Sequence, residues 1–334
     1  MNESVIIDAL RSPIGIKSGK LVGVRPDDLT AQVIKEMLIR NPNIDPSLIE
    51  DVILGCAFPE GPQGMLMAKG VSILAGIPET AGGAVINRFC GSSMDALHQI
   101  STKIESGDIE IGIASGVEDM FSVPLGGFNP DFHPMLAEHE YYIGMGETAE
   151  NLAREGNISR QNQEQFSIES HQKALNAWEK GKFDNEVTPI TNEDSEVIYK
   201  DEAPRDPDVE KIKSLDPSFM ENGTVTAATS SPISIGASSV LITSKEYAKK
   251  NNLKIRATIK ARSIAGVDWR LMGMGPLPAT SKVLKKSKLN INDIDVIELN
   301  EAFAAQALYV IQKGNFNPDK VNLNGGSIAL GHPL

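Results

Sequence analysis

The chain has 334 residues, of which 41% are hydrophobic and 23% are charged, proportions that are ordinary for globular proteins. This length predicts about two domains, and the composition excludes a disordered chain or a fibrous repeat. The formal net charge is −12, from 44 acidic and 32 basic residues. So acidic a balance argues against nucleic acid as the main partner, because phosphate backbones are bound by clustered Lys and Arg.

The cysteine content and the first residues of the chain indicate the cellular compartment. Cys56 and Cys90 are too few for a disulfide framework and predict free thiols in a reducing compartment. The N-terminal residues lack the basic segment of a signal peptide and the Arg-rich stretch of a transit peptide. No apolar run approaches the roughly 18 residues of a membrane span. We therefore expect a cytoplasmic protein without a membrane span.

The first 119 residues alternate short apolar strands with amphipathic helices. The predicted strands are 5–7, 49–54, 83–89 and 111–114, and the predicted helices start near 28, 65 and 91. The first helix has apolar residues on one face and stops before Pro42, and the third ends at Gly107. Its predicted inward positions are Met94, Leu97, Ile100 and Ile104. This alternation predicts a mostly parallel sheet with helices on both faces.

The pattern changes after Glu118. Residues 120–145 have no regular period, polar helices continue to about residue 181, and a loop-like stretch extends to about residue 223. A strand at 238–243, a helix at 245–251 and a second α/β run from Ile255 follow. We therefore predict an excursion inserted into the first α/β unit.

Two segments of the chain repeat one another. Residues 49–58 (IEDVILGCAF) align with residues 294–303 (IDVIELNEAF), with Ile, Leu, Ala and Phe in matching places. Each follows a helix, and each is followed by a helix and a strand that enters a glycine-containing turn. The repetition of this order suggests two copies of one α/β unit.

Cys90 lies where a predicted strand ends and a helix begins. A thiol at a helix N-terminus faces unpaired N–H groups and the positive end of the helix dipole, which favour the thiolate. Gly91, Ser92 and Ser93 would let a substrate approach the backbone closely. The alternative is a buried structural thiol, which is the reading that Cys56 receives.

Two polar residues in the second half are further candidates. His332, between Gly331 and Pro333, could take a proton from a thiol or donate to an oxyanion, or it could be a surface loop histidine. Asn300, at a strand end, could hold a water or serve as a helix N-cap. The other histidines form no metal-binding spacing, and the glycine runs match no complete phosphate-binding fingerprint. No metal site is expected.

Several segments together resemble the thiolase family, most closely the degradative 3-ketoacyl-CoA thiolases of bacterial fatty-acid β-oxidation. They are residues 87–98 (NRFCGSSMDALH), 131–134 (DFHP), 145–150 (MGETAE), 223–227 (GTVTA), 300–306 (NEAFAAQ) and 324–333 (NGGSIALGHP). These segments are spread over the whole chain in the family's order. The combination is therefore more specific than any one segment.

The resemblance implies roles for individual residues. Cys90 would be the nucleophile that becomes acylated, His332 its activator and a donor to the thioester oxygen, and Asn300 the holder of an oxyanion-hole water. The backbone N–H of Cys90 would serve a second oxyanion hole. The residues that match the family's pantetheine channel are Ser231, Ala227, Met145 and Phe303. Coenzyme A would be a co-substrate, with no permanently bound cofactor.

The resemblance also implies the architecture. The expected fold class is α/β, a five-layer αβαβα arrangement of two similar halves with an inserted loop domain. Residues 1–119 and 225–251 would form the N-terminal half, 120–224 the inserted domain, and 252–334 an incomplete C-terminal half. A homodimer or homotetramer is expected, and a hydratase/dehydrogenase subunit is a further partner that the resemblance implies.

Two departures from the family keep alternatives open. The family continues beyond the Gly-His-Pro motif to a Cys-x-Gly segment that carries its general acid, whereas this chain ends at Leu334. The family's Asn-Asp pair before Gly236 is Ser234-Ile235 here, which removes a buried polar partner. The alternatives are a non-catalytic or truncated CoA-binding or assembly protein, a biosynthetic thiolase that forms acetoacetyl-CoA, and a ketoacyl synthase. The Asn-Glu-Ala-Phe and Gly-His-Pro motifs argue against the last.

Overall fold

The computed structural model describes residues 2–334, and a seven-stranded sheet lies at its centre. The strands are β1 (Ser4–Arg11), β2 (Gly15–Ile16), β3 (Asp51–Gly55), β4 (Gly82–Ile86), β5 (Ile111–Asp119), β6 (Ile190–Thr191), β7 (Val197–Ile198), β8 (Ser234–Ser244) and β9 (Ala257–Thr258). The order in the large sheet is β4-β3-β5-β8-β1-β9, and β2 pairs with β8. β6 and β7 form a separate two-stranded sheet.

Helices account for most of the regular structure outside the sheets. They are α1 (Pro26–Arg40), α2 (Met67–Leu74), α3 (Ser92–Ser106), α4 (Pro134–Glu138), α5 (Met145–Gly156), α6 (Arg160–Glu179), α7 (Val209–Ser214), α8 (Lys245–Lys250), α9 (Pro276–Ser287), α10 (Ala304–Gly314) and α11 (Ser327–Leu330). Among the helices of residues 2–334, none combines sufficient length with sufficient apolar character to span a bilayer.

The central sheet is mixed, so the prediction of a mostly parallel sheet is wrong. β3 pairs in parallel with β4 and β5, because α2 and α3 carry the chain back across the sheet between these strands. β8 instead pairs antiparallel with both β1 and β5. This strand follows a long excursion rather than a crossover helix, so its connection does not impose a parallel direction.

The amphipathic helices of the first half form where the apolar spacing predicts them. α1 ends at Arg40, before Pro42, and the residues on its buried face include Leu29, Val33, Ile34 and Met37. α3 buries Ile100 and Ile104 and ends at Gly107, whose φ of +84° is accessible to glycine. Met94 was predicted to lie inside, but 65% of its surface is exposed. Its side chain instead lines a surface cavity of about 430 Å³.

Residues 120–224 leave the central sheet and carry α4 to α7 with β6 and β7. An ion cluster at the end of β1 attaches this segment to the sheet. Arg11 donates through Nη1 and Nη2 to the Asp201 carboxylate, at 2.7 and 2.9 Å. Asp201 also accepts hydrogen bonds from the Ile14 backbone N–H and Trp178 Nε1, and its side chain has 0% exposure.

The second α/β run is less regular than the repeat suggests. Short 3-10 turns precede both repeated segments, at Pro46–Leu48 and Ile291–Asp293. The first segment continues into β3, whereas the second forms only two isolated bridges, a parallel one between Ile297 and Val321 and an antiparallel one between Phe303 and Ser230. A strand requires a ladder of consecutive bridges, which is absent here among residues 2–334. The domain boundaries given above stay a prediction.

Candidate active site

Cys90 occupies a sharp turn between β4 and α3. A 3-10 turn spans Phe89–Gly91, and Phe89 has a φ of +44°, which is unusual for a bulky residue. Asn87 supports this bend because its Oδ1 accepts the Phe89 N–H at 2.9 Å. The Asn87 Nδ2 group donates to the Ala57 carbonyl oxygen at 2.7 Å, which connects the turn to the end of β3.

The first turn of α3 lies directly on the sheet. A Cβ atom at Gly55 would lie 2.4 Å from the Ser92 carbonyl carbon, and one at Gly116 would lie 2.4 Å from Ser93 Cβ. These glycines, on β3 and β5, therefore allow an approach that a side chain would block. Ser92 Oγ accepts the Arg88 N–H at 2.9 Å and donates to the Phe89 carbonyl oxygen at 2.6 Å. The position of Cys90 is thus held from the sheet and from the helix.

The electrostatics of Cys90 differ from the prediction. The residue is exposed, unlike Cys56, so it is not a buried structural thiol. Surrounding protein nevertheless desolvates the sulfur: burial raises the pKa of the Cys90 thiol, its own backbone N–H lowers that pKa, and the Glu118 carboxylate raises it. The predicted lowering of the pKa of Cys90 is therefore outweighed by desolvation of the sulfur.

Glu118 is a buried carboxyl group near Cys90. It is 1% exposed, and it accepts the Ala57 N–H at 2.6 Å and the Gln63 Nε2 group at 2.8 Å. Burial raises the pKa of Glu118. The sequence analysis did not identify it, although an acidic residue near the end of a largely apolar strand was a usable signal.

Asn300 and His332 lie together in the second half. Asn300 Nδ2 is 3.2 Å from His332 Nε2. Asn300 Oδ1 accepts the hydroxyl hydrogen bond of Ser327, and the Ser327 Oγ accepts the Glu301 N–H at 3.0 Å. The structure thus joins two residues that the pattern identified separately, and it adds Ser327, which the sequence analysis did not weigh.

The loop that carries His332 is packed tightly. The His332 N–H donates to Ser234 Oγ at 2.9 Å, so the serine in the altered Ser234-Ile235 pair holds this backbone. Gly331 has a φ of +113°, and a Cβ atom there would lie 2.5 Å from Ile14 Cγ2. Burial lowers the pKa of His332 to about 4, so the imidazole is neutral at pH 7.

Glu301 lies beneath this pair and connects three parts of the chain. It is 2% exposed, and its carboxylate accepts hydrogen bonds from Ser170 Oγ at 2.7 Å, Asn322 Nδ2 at 2.7 Å and the Ile328 N–H at 3.3 Å. Burial raises the pKa of Glu301. A Cβ atom at Gly326 would lie 2.1 Å from Glu301 Cδ, so this position requires glycine. The carboxyl group therefore sets the position of the loop leading to His332.

Cys90 and the Asn300–His332 pair lie at the same end of the central sheet. Glu118, whose charge acts on Cys90, pairs with Gly236 in the β5–β8 ladder. A Cβ atom at Gly236 would lie 2.9 Å from Pro333 Cγ, next to His332. Within residues 2–334, no hydrogen bond joins the Cys90 thiol to Asn300 or His332. The two halves of the site therefore lie at the same end of β5 and β8 without a direct hydrogen bond.

The four residues matched to the pantetheine channel lie on three segments of the chain. Ser231 donates its backbone N–H to the Ala302 carbonyl oxygen at 3.0 Å, and Ala227 begins the 3-10 turn that precedes it. The Phe303 ring packs against Phe219, with ring centroids 5.6 Å apart. A Cβ atom at Gly146, beside the exposed Met145, would lie 2.1 Å from the same Phe219 ring. Ser231 thus contacts the 300–303 segment, and Phe303 and the neighbour of Met145 pack against the same Phe219 ring.

The site contains no obvious metal ligands. Within the described part of the chain, residues 2–334, no group of three or more His, Cys, Asp or Glu side chains is arranged to hold an ion.

Comparisons with known proteins cover almost the whole chain. The family description "Thiolase, N-terminal domain" matches residues 4–246, and "Thiolase, C-terminal domain" matches residues 253–334. The 3-ketoacyl-CoA thiolase of Photobacterium profundum is 46% identical over 346 residues, which cover 100% of this chain and 89% of that protein. The 3-ketoacyl-CoA thiolase of Shewanella loihica is 44% identical over 346 residues, with the same coverage.

A solved structure is similar over the same extent. The Bacillus anthracis acetyl-CoA acetyltransferase superposes with a TM-score of 0.92 and 37% sequence identity, and the match covers 100% of this chain and 88% of that one.

Proposed function

Because the chain belongs to the thiolase family and is an acyltransferase of that family, we propose that it cleaves 3-ketoacyl-CoA through an acyl-enzyme on Cys90. The family membership and the thiolase fold confirm two predictions from the sequence. The products would be acetyl-CoA and an acyl-CoA shortened by two carbons. The observation that supports this most directly is an exposed thiol at the same end of the central sheet as the Asn300–His332 pair.

The proposed first step forms a bond between sulfur and carbon. His332 accepts the proton of the Cys90 thiol, and the sulfur adds to the keto carbonyl carbon of the substrate. The resulting alkoxide re-forms its carbonyl group, the C–C bond breaks, and acetyl-CoA leaves as an enolate. The enolate takes up one proton, which balances the proton that His332 accepted from the thiol. Asn300, through its amide N–H or a water, would supply a donor where negative charge develops on a thioester oxygen.

The second step returns the enzyme to its starting state. The thiol of free coenzyme A attacks the thioester carbon of the acyl-enzyme, and the Cys90 sulfur leaves with a proton. The covalent intermediate thereby divides one difficult reaction into two easier ones. Because burial keeps His332 neutral, the imidazole can accept the thiol proton at pH 7.

The CoA moiety would lie along the segment that borders Asn300. Ala227 and Met145 are exposed there, and Ser231 and Phe303 line the same region. Small and apolar side chains suit the thin, flexible pantetheine chain. Coenzyme A is a co-substrate in this proposal and is not bound permanently.

The direction of the reaction and the cellular setting belong to the same proposal. Relatives named 3-ketoacyl-CoA thiolase support a degradative role in fatty-acid β-oxidation. Likeness to an acetyl-CoA acetyltransferase supports, as the second candidate, condensation of two acetyl-CoA molecules to acetoacetyl-CoA. We also propose a cytoplasmic homodimer or homotetramer that works beside a hydratase/dehydrogenase subunit.

Trapping of the acyl-enzyme tests this proposal. The protein is mixed with 3-ketoacyl-CoA substrates of increasing chain length, quenched in acid and digested, and the mass of the peptide that contains Cys90 is measured. We expect that peptide to carry the shortened acyl group. The Cys90→Ser variant should not form the adduct, whereas the Cys56→Ser control should. A folded parent protein that forms no adduct with any substrate, or forms it elsewhere, would contradict the proposal.

A further inference from the structure

The hydroxyl group of Ser327 lies between two polar groups of the candidate site. Its oxygen accepts the backbone N–H of Glu301 at 3.0 Å, and it donates a hydrogen bond to Asn300 Oδ1. Ser327 is the first residue of α11 and is half-buried. It reaches Asn300 without itself contacting His332, so any influence on the imidazole acts through the asparagine.

Proton accounting determines which way the Asn300 amide points. The Glu301 N–H can only donate, so the Ser327 oxygen is its acceptor and the single hydroxyl proton remains available. With Asn300 Oδ1 towards Ser327, that proton has an acceptor. With the amide reversed, an N–H group would face the same oxygen, and the hydroxyl proton would have no acceptor within residues 2–334. The Oδ1-inward orientation is therefore favoured by about one hydrogen bond.

This orientation determines the hydrogen bonding of His332. The Asn300 Nδ2 group then points at His332 Nε2 over 3.2 Å and is the donor. A ring nitrogen that accepts a hydrogen bond carries no proton, so the proton of the neutral imidazole is on Nδ1. Burial also lowers the pKa of His332 to about 4, which agrees with a neutral ring.

We propose that Ser327 is a positioning residue, which turns the Asn300 amide so that its N–H faces the site and thereby selects the Nδ1–H tautomer of His332. The tautomer assignment stands on the hydrogen bonds alone. Its consequence for catalysis rests on the proposed function of Asn300 and His332.

The consequence for catalysis has two parts. An unprotonated Nε2 can take the Cys90 proton through its single lone pair when the Asn300 N–H that occupies this lone pair turns to the developing oxyanion. In addition, an asparagine that presents an N–H group is attractive to a developing oxyanion, whereas its carbonyl oxygen would repel it. Loss of the Ser327 hydroxyl would remove both effects, because either the N–H group or the carbonyl oxygen of the Asn300 amide could then point into the site.

Nitrogen NMR of the full chain tests the tautomer. The protein has 5 histidines, so uniform ¹⁵N-histidine labelling gives few resonances, and those lost in the His332→Ala variant identify His332. In the parent protein at pH 7 we expect an unprotonated Nε2 and a protonated Nδ1. We expect the Ser327→Ala variant to move both resonances towards a mixture of tautomers, and the Ser327→Thr variant to restore them.

A matched control separates positioning from general loosening. Ser170 belongs to the same cluster and donates to Glu301, but it makes no hydrogen bond to Asn300. The Ser170→Ala variant should therefore keep the parent tautomer. A parent protein with a proton on Nε2, or a Ser327→Ala variant whose resonances coincide with those of the parent, would overturn the proposal. The parent spectrum decides the assignment even if a variant does not fold.

The rate of Cys90 acylation tests the catalytic consequence. In single-turnover experiments we expect Ser327→Ala to slow acylation about tenfold, with CoA affinity unchanged and with recovery in Ser327→Thr. An unchanged rate in Ser327→Ala would overturn the positioning role. If the parent shows no acylation but has the expected tautomer, the proposed function fails while the orientation of Asn300 and His332 stands.

Discussion

Asn300 Nδ2 and His332 Nε2 lie 3.2 Å apart, so two residues separated by 32 positions in the chain form one polar pair. Neither belongs to a regular strand, and short loops hold both. Ser234 binds the His332 backbone, and Ser327 binds the Asn300 side chain. The geometry of the pair therefore depends on the packing of these loops, which single substitutions can test.

Cys90 should react with iodoacetamide much faster than Cys56. Cys90 is exposed, whereas Cys56 is 0% exposed, and burial raises the pKa of Cys56 far above its ordinary value. Since the pKa of Cys90 is raised as well, its alkylation should accelerate as the pH rises above 7. Peptide mass spectrometry measures both rates, and urea-unfolded protein, in which the two thiols should react alike, is the control. Equal rates in the folded protein would remove the nucleophilic role of Cys90.

The His332→Ala substitution should slow acylation of Cys90 by about 10²–10⁴-fold, the usual range for loss of a general base. Affinity for CoA should change much less, because the proposed role of His332 is at the reacting atoms and not along the CoA chain. Single-turnover acylation and equilibrium CoA binding measure the two effects. The exposed His139, replaced by alanine, is the matched control and should keep the parent rate. Equal losses of rate and affinity would make His332 a packing residue.

Gly326→Ala should destabilise the protein, because the added Cβ would lie 2.1 Å from Glu301 Cδ, a group held by three hydrogen bonds. We expect a loss of about 1–3 kcal/mol in the free energy of unfolding, measured by urea titration. Gly70→Ala is the opposite control, since this exposed glycine within α2 has open space around it. The free energy of unfolding of this variant should be higher than that of the parent by about 0.5–1 kcal/mol. An unchanged Gly326→Ala protein would argue against the packing described here.

Asp201→Ala should remove the main ionic attachment of the 120–224 segment to the sheet. The substitution leaves the Arg11 guanidinium, whose side chain is 18% exposed, without its principal partner. Loss of one partner of a buried ion pair typically costs about 3–5 kcal/mol, which a thermal or urea unfolding curve would show. Glu210→Ala, in the exposed pair with Lys213, should change the stability by less than about 0.5 kcal/mol. Similar effects of the two substitutions would contradict this account.

His171 should make the fold sensitive to acid. It is 4% exposed, and burial lowers its pKa to about 4 from 6.5 in the unfolded chain. The unfolded chain therefore binds the proton first, and the stability that neutral His171 supports is lost as the pH falls from about 6.5 to about 4. The full loss is about 3 kcal/mol, because each pH unit between the two pKa values is worth about 1.36 kcal/mol.

Comparison of the parent protein with His171→Phe isolates this contribution. Urea titrations from pH 7 to pH 4 should show a smaller loss of stability for the variant, because it has no proton to bind at this position. His139→Ala, which removes an exposed histidine, should follow the parent curve. Parallel curves for the parent and His171→Phe would exclude the assigned role.

The sequence allowed the position of Cys90 to be predicted, but not its electrostatics. A strand followed by small residues and an amphipathic helix predicts a turn at Cys90, and the structure has that turn. The pKa of the thiol depends on Glu118 and on the surrounding packing, and both come from contacts with β3 and β5 that are distant in the chain. Local pattern therefore predicts where the thiol is, whereas tertiary contacts determine how it titrates.

Long-range hydrogen bonds were the main features that the sequence could not reveal. Asn300 and His332 were both identified, but only the folded chain joins them. Ser327 was not weighed, and Ser234 was noted only as a departure from the family, without its hydrogen bond to the His332 backbone. The direction of β8 could not be predicted for the same reason. β8 has the apolar pattern of any buried strand, and nothing in that pattern tells whether it runs parallel to β5.

The position of β8 between β5 and β1 also has a consequence for biosynthesis. Ribosomes release the chain from its N-terminus, so both of those strands present unpaired edges until residues 234–244 emerge. Ile111 finally pairs with Thr243, a closure whose entropic cost makes assembly slow. Nascent chains halted ahead of this point should be the species that chaperones capture and that aggregate when translation stalls.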